Sequence, residues 1–600
     1  MIKIILPILL LTINFITLFS QSLNVAKIGN DFISDKEFKI RFETMPHITD
    51  DSFNLDSVKV KILHTIIAEK LWSKYAIEKG IDTTTYFKML FKPTERLFIR
   101  DALYKKVIEP FTELSGDDIN FITKYSNSKV IADIYAFDDS ISANTVYLSL
   151  QKNYTIPGNI KVFADTSKEI TIGFMEDEEL EKQILTAQSM FIFPPFKTSA
   201  GWFVIHKRNN LRIAETTDKQ NISTLKQKMI ERRAKKIGAE YLGKLFSDIK
   251  LSVNEDIFNN LVNSFFDIYN KKISIDSSLK FKSLLIDELD IKDINNIMYS
   301  QLNKILIDAN NLKFATIDFT SFIMYQDFKL KNATKEGIAK KLLDYIKFFV
   351  EQELITEEGI KQNLQNSPAV KNELKMWKEN LLAQLIENSF VDTMLVTDTE
   401  VIEEYNKRYS EKKIKEEIKV QEILVDNLEQ VENILNKLEI GNDFDKLAEN
   451  STLRENLKIK KGIIGYITKD MFGDIGRIAS ELKINDVYGP IKTIDGYSII
   501  KILDKKIDSS KASFESVKDI IKQGLFSEKS YKLLNNKTVD LAKKYGIDIN
   551  FTNLTNIRVT NINMFTHRFM GFGGKIAASP FTNNIYEWYQ IYKKLQKESL

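Results

Sequence analysis

The chain has 600 residues, 43% of them hydrophobic and 28% charged, which suits a globular protein of about four domains. Its 85 Lys+Arg and 82 Asp+Glu leave a formal charge of +3, so nothing in the balance points to nucleic acid or an anionic membrane as partner. With no cysteine and four histidines (His47, His64, His206 and His567), disulfides, thiolate zinc sites, a lipoprotein anchor and a Cys nucleophile are excluded. Neither a metal nor a cofactor is expected.

Lys3, the apolar run Ile4–Phe19 and the exit Ser20-Gln21-Ser22 read as a secretory signal over residues 1–20. The run is broken by Pro7 and Asn14 and is short for a membrane span. The expectation is a secreted chain with no span after cleavage, placed in a bacterial periplasm.

Val25–Ser34 predicts strand, turn and strand, with Gly29-Asn30 as the turn. Ser34 and Glu37 have capping-box spacing. Asp56 or Ser57 opens a second helix with Val60, Leu63, Ile67 and Leu71 on one face, and Gly80 stops it. Another helix begins near Asp117, after Ser115.

The same events then return. Glu78-Lys79-Gly80-Ile81 matches Glu357-Glu358-Gly359-Ile360, 279 residues on; Ser115-x-x-Asp118 matches Thr397-x-x-Glu400 at 282; Tyr125-Ser126 matches Tyr409-Ser410 at 284. Pro195–Trp202 matches Pro490–Tyr497 at 295, and Val253-Asn254 matches Ile549-Asn550 at 296. Offsets that rise without reversing predict a tandem duplication. Each copy is a helical module interrupted by an insert and closed by a returning helix. The boundaries are 21–127 plus 213–264 around an insert at 128–212, a linker at 265–310, then 311–415 plus 507–555 around an insert at 416–506. The tail 556–600 has no counterpart.

The second insert carries the most specific pattern. Val420–Val425 is a strand. A helix follows, with Val431, Ile434, Leu435 and Leu438 on one face, ending at Gly441. Then come Asp443-Phe444-Asp445-Lys446-Leu447-Ala448, Asn450-Ser451, Lys461–Tyr466, a short helix from Met471, the Gly489-Pro490 turn, and Gly496-Tyr497 opening a last strand to Leu503. This order resembles the parvulin type of peptidyl-prolyl cis-trans isomerase, whose "DFxxLA" element the third segment matches. The opening strand turn and helices resemble the N-terminal module of SurA-type periplasmic chaperones.

An X–Pro bond crosses a barrier of ~18–20 kcal/mol. Catalysis needs an apolar cup for the ring and a polar floor that favours the twisted amide. The resemblance implies a floor of two histidines and a Cys or Asp, and a cup of Met or Leu and Phe. Carried across, the first-strand histidine falls on Glu422, the Cys or Asp on Leu453 and the last-strand histidine on Ser498. The cup falls on Met471 and Ile475. The second insert holds no histidine. Glu422 and Ser498 are either a rearranged hydrogen-bond pair that still distorts the amide, or the remains of a site kept for binding.

The first insert is more eroded. It keeps Val130–Phe137 and the Pro195–Ile205 ending, but Tyr154–Ile172 departs from the pattern. Phe203 takes the last-strand histidine position, and His206, on the opposite strand face, is read as a partly exposed structural residue. Asp133 is a weak candidate for the first-strand site. Gly571–Gly574 lacks the Lys-Ser/Thr of a phosphate loop and reads as a turn.

The predicted fold class is α+β: helical modules with two inserted four-stranded antiparallel domains. The resemblance implies a chaperone for unfolded secreted or outer-membrane polypeptides, with parvulin-like domains of weak or no activity. The alternative is an active isomerase that assists exported proteins. A third reading uses the aromatic tail (Phe565, Phe569, Phe572, Tyr586, Trp588, Tyr589) as a docking element.

Overall fold

The computed structural model describes residues 23–45, 54–153, 155–158, 160–198, 200–212, 218–275, 284–310, 312–326, 328–409, 415–469, 471–493, 495–508, 513–560 and 566–598. The expected signal segment lies outside them. The fold is α+β, with helices and two four-stranded antiparallel sheets. Contacts divide the chain into two units: the residues up to Phe98 with those from Gln365 on, and Ile99–Leu364. This division differs from the copy-by-copy boundaries read from the sequence.

The reason lies in two small sheets. In the first unit Asn24–Ile28 and Asp31–Ser34 form the expected hairpin, turning at Gly29 (φ 59°). Ser34 Oγ accepts from Glu37 N at 3.1 Å and starts the helix Asp35–Thr44. The hairpin's third strand is Ile547–Ile549, far along the chain, with Ala26 opposite Ile549. In the second unit Ile305–Ala309 and Leu312–Ala315 form a like hairpin, whose third strand is Leu251–Val253. The two sheets repeat a hydrogen bond: Asn550 N donates to Val25 O at 2.9 Å, and Asn254 N to Leu306 O at 2.8 Å. Both asparagine side chains then cap a helix, Asn550 on Asn553 N and Asn254 on Ile257 N. Each hairpin is therefore closed by a strand from the other half of the sequence.

The hairpin at 305–315 corrects the linker expected at 265–310. Asn310 (φ 57°) stands where the first hairpin has Gly29. Asparagine tolerates the left-handed conformation, and here its amide also bonds the closing segment, accepting from Lys250 N and donating to Asp248 O, both at 3.0 Å. The helices Glu255–Ile275 and Glu288–Ile297 bury Phe265, Ile268, Ile291 and Ile294 in the core of this unit.

The helix Leu55–Glu78 is capped by Asn54, two or three residues before the expected Asp56 or Ser57. It buries Leu63, Ile67 and Leu71 and packs on Pro368–Val391 and on Phe514–Tyr545. Charge is buried along this seam. Arg41 holds Glu69 at 2.5 and 2.8 Å, and Asn380 Nδ2 donates to Glu69 at 2.6 Å and to Phe581 O at 2.8 Å. The C-terminal segment is part of this core, not a free tail. Ile585, Trp588 and Tyr592 are buried. Trp588 Nε1 donates to His64 O at 3.1 Å, and Trp588 N to Asn535 Oδ1 at 2.7 Å. Of the aromatics read as a docking element, Phe565 lies outside the described residues and Phe569 is exposed.

The two inserts share one topology. The strand order is Ala164–Ile170, Ser128–Phe137, Gly201–Arg212, Ile192–Thr198 in the first, and Ile463–Ile467, Lys415–Val425, Gly496–Asp508, Val487–Thr493 in the second. The matched glycines have one physical cause. A Cβ on Gly201 would lie 2.8 Å from Phe137 O, and one on Gly496 would lie 2.3 Å from Val425 O. Each turn presses on the end of the first strand, so no side chain fits there.

His206 is fully buried, against the partly exposed role expected of it. It stands opposite Asp133 in the sheet, and burial pushes its imidazole below the usual range. Its neighbour Lys207 is also buried and donates to the carbonyls of Ile184, Leu185 and Ala187, at the end of the helix Glu178–Thr186. That is where an ammonium is favoured.

Candidate functional site

Lys415–Val425 and Gly496–Asp508 are the central pair of the second insert's sheet. Their register sets Leu424 opposite Ser498 and Glu422 opposite Ile500. Glu422 and Ser498 are thus diagonal neighbours on one face, a separation that a Glu side chain spans. Ser498 Oγ donates to Glu422 Oε1 at 2.6 Å. Both residues are fully buried.

A carboxylate buried in a strand demands a cation. Arg454 supplies it: its Nε donates to Glu422 Oε2 at 2.7 Å, and its far nitrogen lies 3.1 Å from Asp495 Oδ2. Burial works to lower the Arg454 pKa, but the adjoining Glu422 carboxylate outweighs it and holds the guanidinium above its usual range. The loop carrying Arg454 is fixed to the strand. Leu424 N donates to Thr452 Oγ1 at 3.1 Å, and Leu453 N donates to Leu424 O at 2.8 Å. This pairing turns the Leu453 side chain outward, 44% exposed. Leu453, expected at the pocket, does not reach it, and Arg454, the next residue, does. On the other side Glu422 N donates to Gly462 O, and a Cβ on Gly462 would lie 2.3 Å from Glu422 O. The Lys461-Gly462 step recognised in the sequence is there to admit this strand.

The floor is therefore a closed set of charges. Both Glu422 oxygens are occupied, and the hydroxyl proton of Ser498 is committed to one of them. The first insert has a related pair, Asp133 with Arg208.

The expected cup residues lie together. Met471 and Ile475 are buried with Phe472, Ile491, Ile500 and Ile502. Their outer side is not open solvent. The return helix Phe514–Tyr545 crosses it, with Gly524 on Met471: a Cβ there would lie 3.4 Å from Met471 Cγ. Ile520 approaches Gly465, and Tyr531 lies under the Arg477 guanidinium at 4.0 Å. Phe472 and Ile475 face a cleft whose second wall is Phe526, Ser527, Tyr531 and Leu534 of this helix, with Asn583–Ile585 beside it. The sequence reading missed both Arg454 and this wall. A signal for the first was present: Glu422 in an otherwise apolar strand needs a partner. No signal marked the second. Among the described residues, no group of three or more His, Cys, Asp or Glu is placed to hold a metal, and no helix is long and apolar enough to cross a membrane.

Comparison with known proteins bears on the second insert. Residues 399–504 match the rotamase family, described as the PPIC-type PPIase domain. The second insert is thus a parvulin-type domain. A parvulin-like PPIase of Rickettsia felis is 37% identical over 165 residues, 27% of this chain and 58% of that protein. The foldase protein PrsA of Exiguobacterium sibiricum is 32% identical over 186 residues, 30% of this chain and 58% of that one. A solved structure from Campylobacter jejuni, one of the related SurA-like chaperones PEB4 and Cj1289, has 22% identity and a TM-score of 0.21, covering 40% of this chain and 98% of that one. The chain spans less than two thirds of the length of both sequence relatives.

Proposed function

We propose that this protein is a periplasmic chaperone that holds unfolded secreted or outer-membrane polypeptides through its helical core, with parvulin-type domains of weak or no activity. One observation carries the reading: the Glu422 carboxylate is held by Ser498 on one oxygen and Arg454 on the other where the family resemblance implies histidines. An isomerase floor must hold a donor for the amide as it twists. Here the Ser498 hydroxyl and the Arg454 Nε–H are both directed at Glu422, and a further guanidinium nitrogen faces Asp495. Met471 under Gly524 points the same way, because the cup is packed against the chain's own helix. The relatives named above, a PPIase and a foldase, support a role in the folding of other proteins. The repeated hairpins, caps and sheets support the duplication read from the sequence offsets.

The test is suppression of aggregation of an unfolded outer-membrane polypeptide by the full chain and by a chain lacking 416–506. The proposal expects most of the activity to remain in the deletion. Its disappearance with that insert alone would overturn the placement of binding in the helical core. The alternative, an active isomerase, keeps one supporting feature: the cleft beside Phe472 and Ile475 is open to a ligand.

A further inference from the structure

That cleft has an unequal share of charge. Arg454 is matched by Glu422 and Asp495, and Arg477 by Asp474. Lys492, on the strand that follows the Gly489-Pro490 turn, is different. It lines the cleft and is half-buried, with its Nζ 4.4 Å from the Tyr497 ring centroid. Among the described residues no carboxylate pairs with it. Its ammonium is pushed down to about 8 by burial alone. Lys522, lining the adjoining space, adds a further exposed cation. The cleft, with Phe472, Ile475 and Phe526 among its walls, encloses about 100 Å³. Past Arg454, Phe472 and Phe526 it opens onto a further space of about 490 Å³, so a ring and the extended segment that carries it both find room.

A half-buried ammonium gains most from an anion that arrives with its own ring to fill the apolar space. Resting on the chaperone reading above, we infer that Lys492 selects clients: the cleft takes one proline or aromatic ring from an extended segment, and Lys492 pairs with a carboxylate next to that ring. The carboxylate is either an Asp or Glu side chain or the free end of a chain. Tyr497 holds the ammonium in place from below, while the return helix supplies the wall against which the ring packs.

The inference is tested by fluorescence polarisation on the full chain at pH 7. Three labelled peptides differ at one point: Glu before a Pro-Phe pair with an amidated end, Gln at that place with an amidated end, and the Gln peptide ending in a free carboxylate after Phe. Wild type is expected to bind the Glu peptide, the free-end peptide or both about tenfold more tightly than the amidated Gln peptide, through one additional charge-assisted contact. Which of the two gains identifies the source of the carboxylate. Within Lys492→Met the Glu and free-end peptides should bind no more tightly than the amidated Gln peptide, while Lys492→Arg should retain the difference. Equal binding of all three peptides by wild type, or a preference that survives Lys492→Met, overturns the inference. If aggregation is still suppressed in that case, the chaperone reading stands without it. Failure to bind any peptide or to suppress aggregation removes both.

Discussion

Ser498 Oγ donates a hydrogen bond to Glu422 Oε1 at 2.6 Å, and Arg454 Nε donates to the other oxygen of the same carboxylate at 2.7 Å. The isomerase-shaped sheet thus brings its two central strands together around an ion pair. Removing one member strands the other. Arg454→Met should destabilise the domain by about 3–5 kcal/mol, the usual cost of leaving a buried charge unpaired. Ser498→Ala should cost about 1–3 kcal/mol. Glu422→Leu with Arg454→Met should recover most of the first loss. Urea unfolding of the three variants checks the ordering, and a double variant no better than Arg454→Met would contradict it.

Gly524 seats against Met471 with ordinary van der Waals clearance for a Cβ. Gly524→Ala should therefore be tolerated, and should gain up to about 1 kcal/mol from helix propensity. Gly524→Leu must displace Met471, with an overpacking cost of about 1–3 kcal/mol. Thermal unfolding compares the two. Equal effects would show that the helix does not press on the cup.

Stability should bend with pH in opposite senses at two buried groups. Burial pushes Glu387 up to about 8, Glu69 adds to the rise, and a 2.6 Å bond from Asn583 opposes it. The folded chain keeps a proton there that the unfolded chain loses near pH ~4.3. Stability contributed by Glu387 therefore falls as pH rises from about 4.3 to about 8, by ~1.4 kcal/mol per unit. His64, its ring centroid 4.2 Å from that of Tyr589 and tilted by 33°, is pushed down to about 4 by burial. The unfolded chain binds the extra proton below pH ~6.5, so this contribution rises with pH from about 4 to about 6.5. The two offset each other in the acid range, and the Glu387 slope stands alone above pH ~6.5. The melting temperature should fall from there to pH 8, and Glu387→Gln should flatten that fall. An unchanged slope in Glu387→Gln would refute the assignment.

The seam at Arg41 and Glu69 offers an independent check on how the first unit is assembled. Arg41→Met leaves Glu69 buried with Asn380 as its remaining donor and should cost about 3–5 kcal/mol. Because Asn380 also bonds Phe581 O, the C-terminal segment should loosen in the same variant. Hydrogen exchange at Phe581–Trp588 reads this directly. Exchange there that matches wild type would separate the C-terminal segment from the seam.

The second insert was legible because its signals are local and its glycines have one cause each. Gly462 and Gly496 sit where a carbonyl of the first strand leaves no room for a side chain, so their spacing carries the sheet order. The positions of Glu422 and Ser498 came from the parvulin resemblance, which sets the two family histidines there. Leu453 misled because a one-residue shift in a loop exchanges the residue turned outward for the one turned in, and no periodicity governs a loop. The hairpin at 305–315 was passed over because Asn310, not glycine, makes its turn. The crossed closing strands Leu251–Val253 and Ile547–Ile549 could not be read at all. Pairing between distant segments leaves no periodic trace. Arg454 and the return-helix wall belong to the same class of contact, between segments far apart in the chain.

Prolyl exchange measured by NMR on X–Pro peptides, with several residues at X, tests the account most directly. With the floor closed by Glu422, Arg454 and Ser498, the full chain should leave the cis–trans exchange rate at its spontaneous value. Acceleration by wild type that is lost in Glu422→Gln or Ser498→Ala would contradict it, and would make the ion-paired floor a working reaction centre.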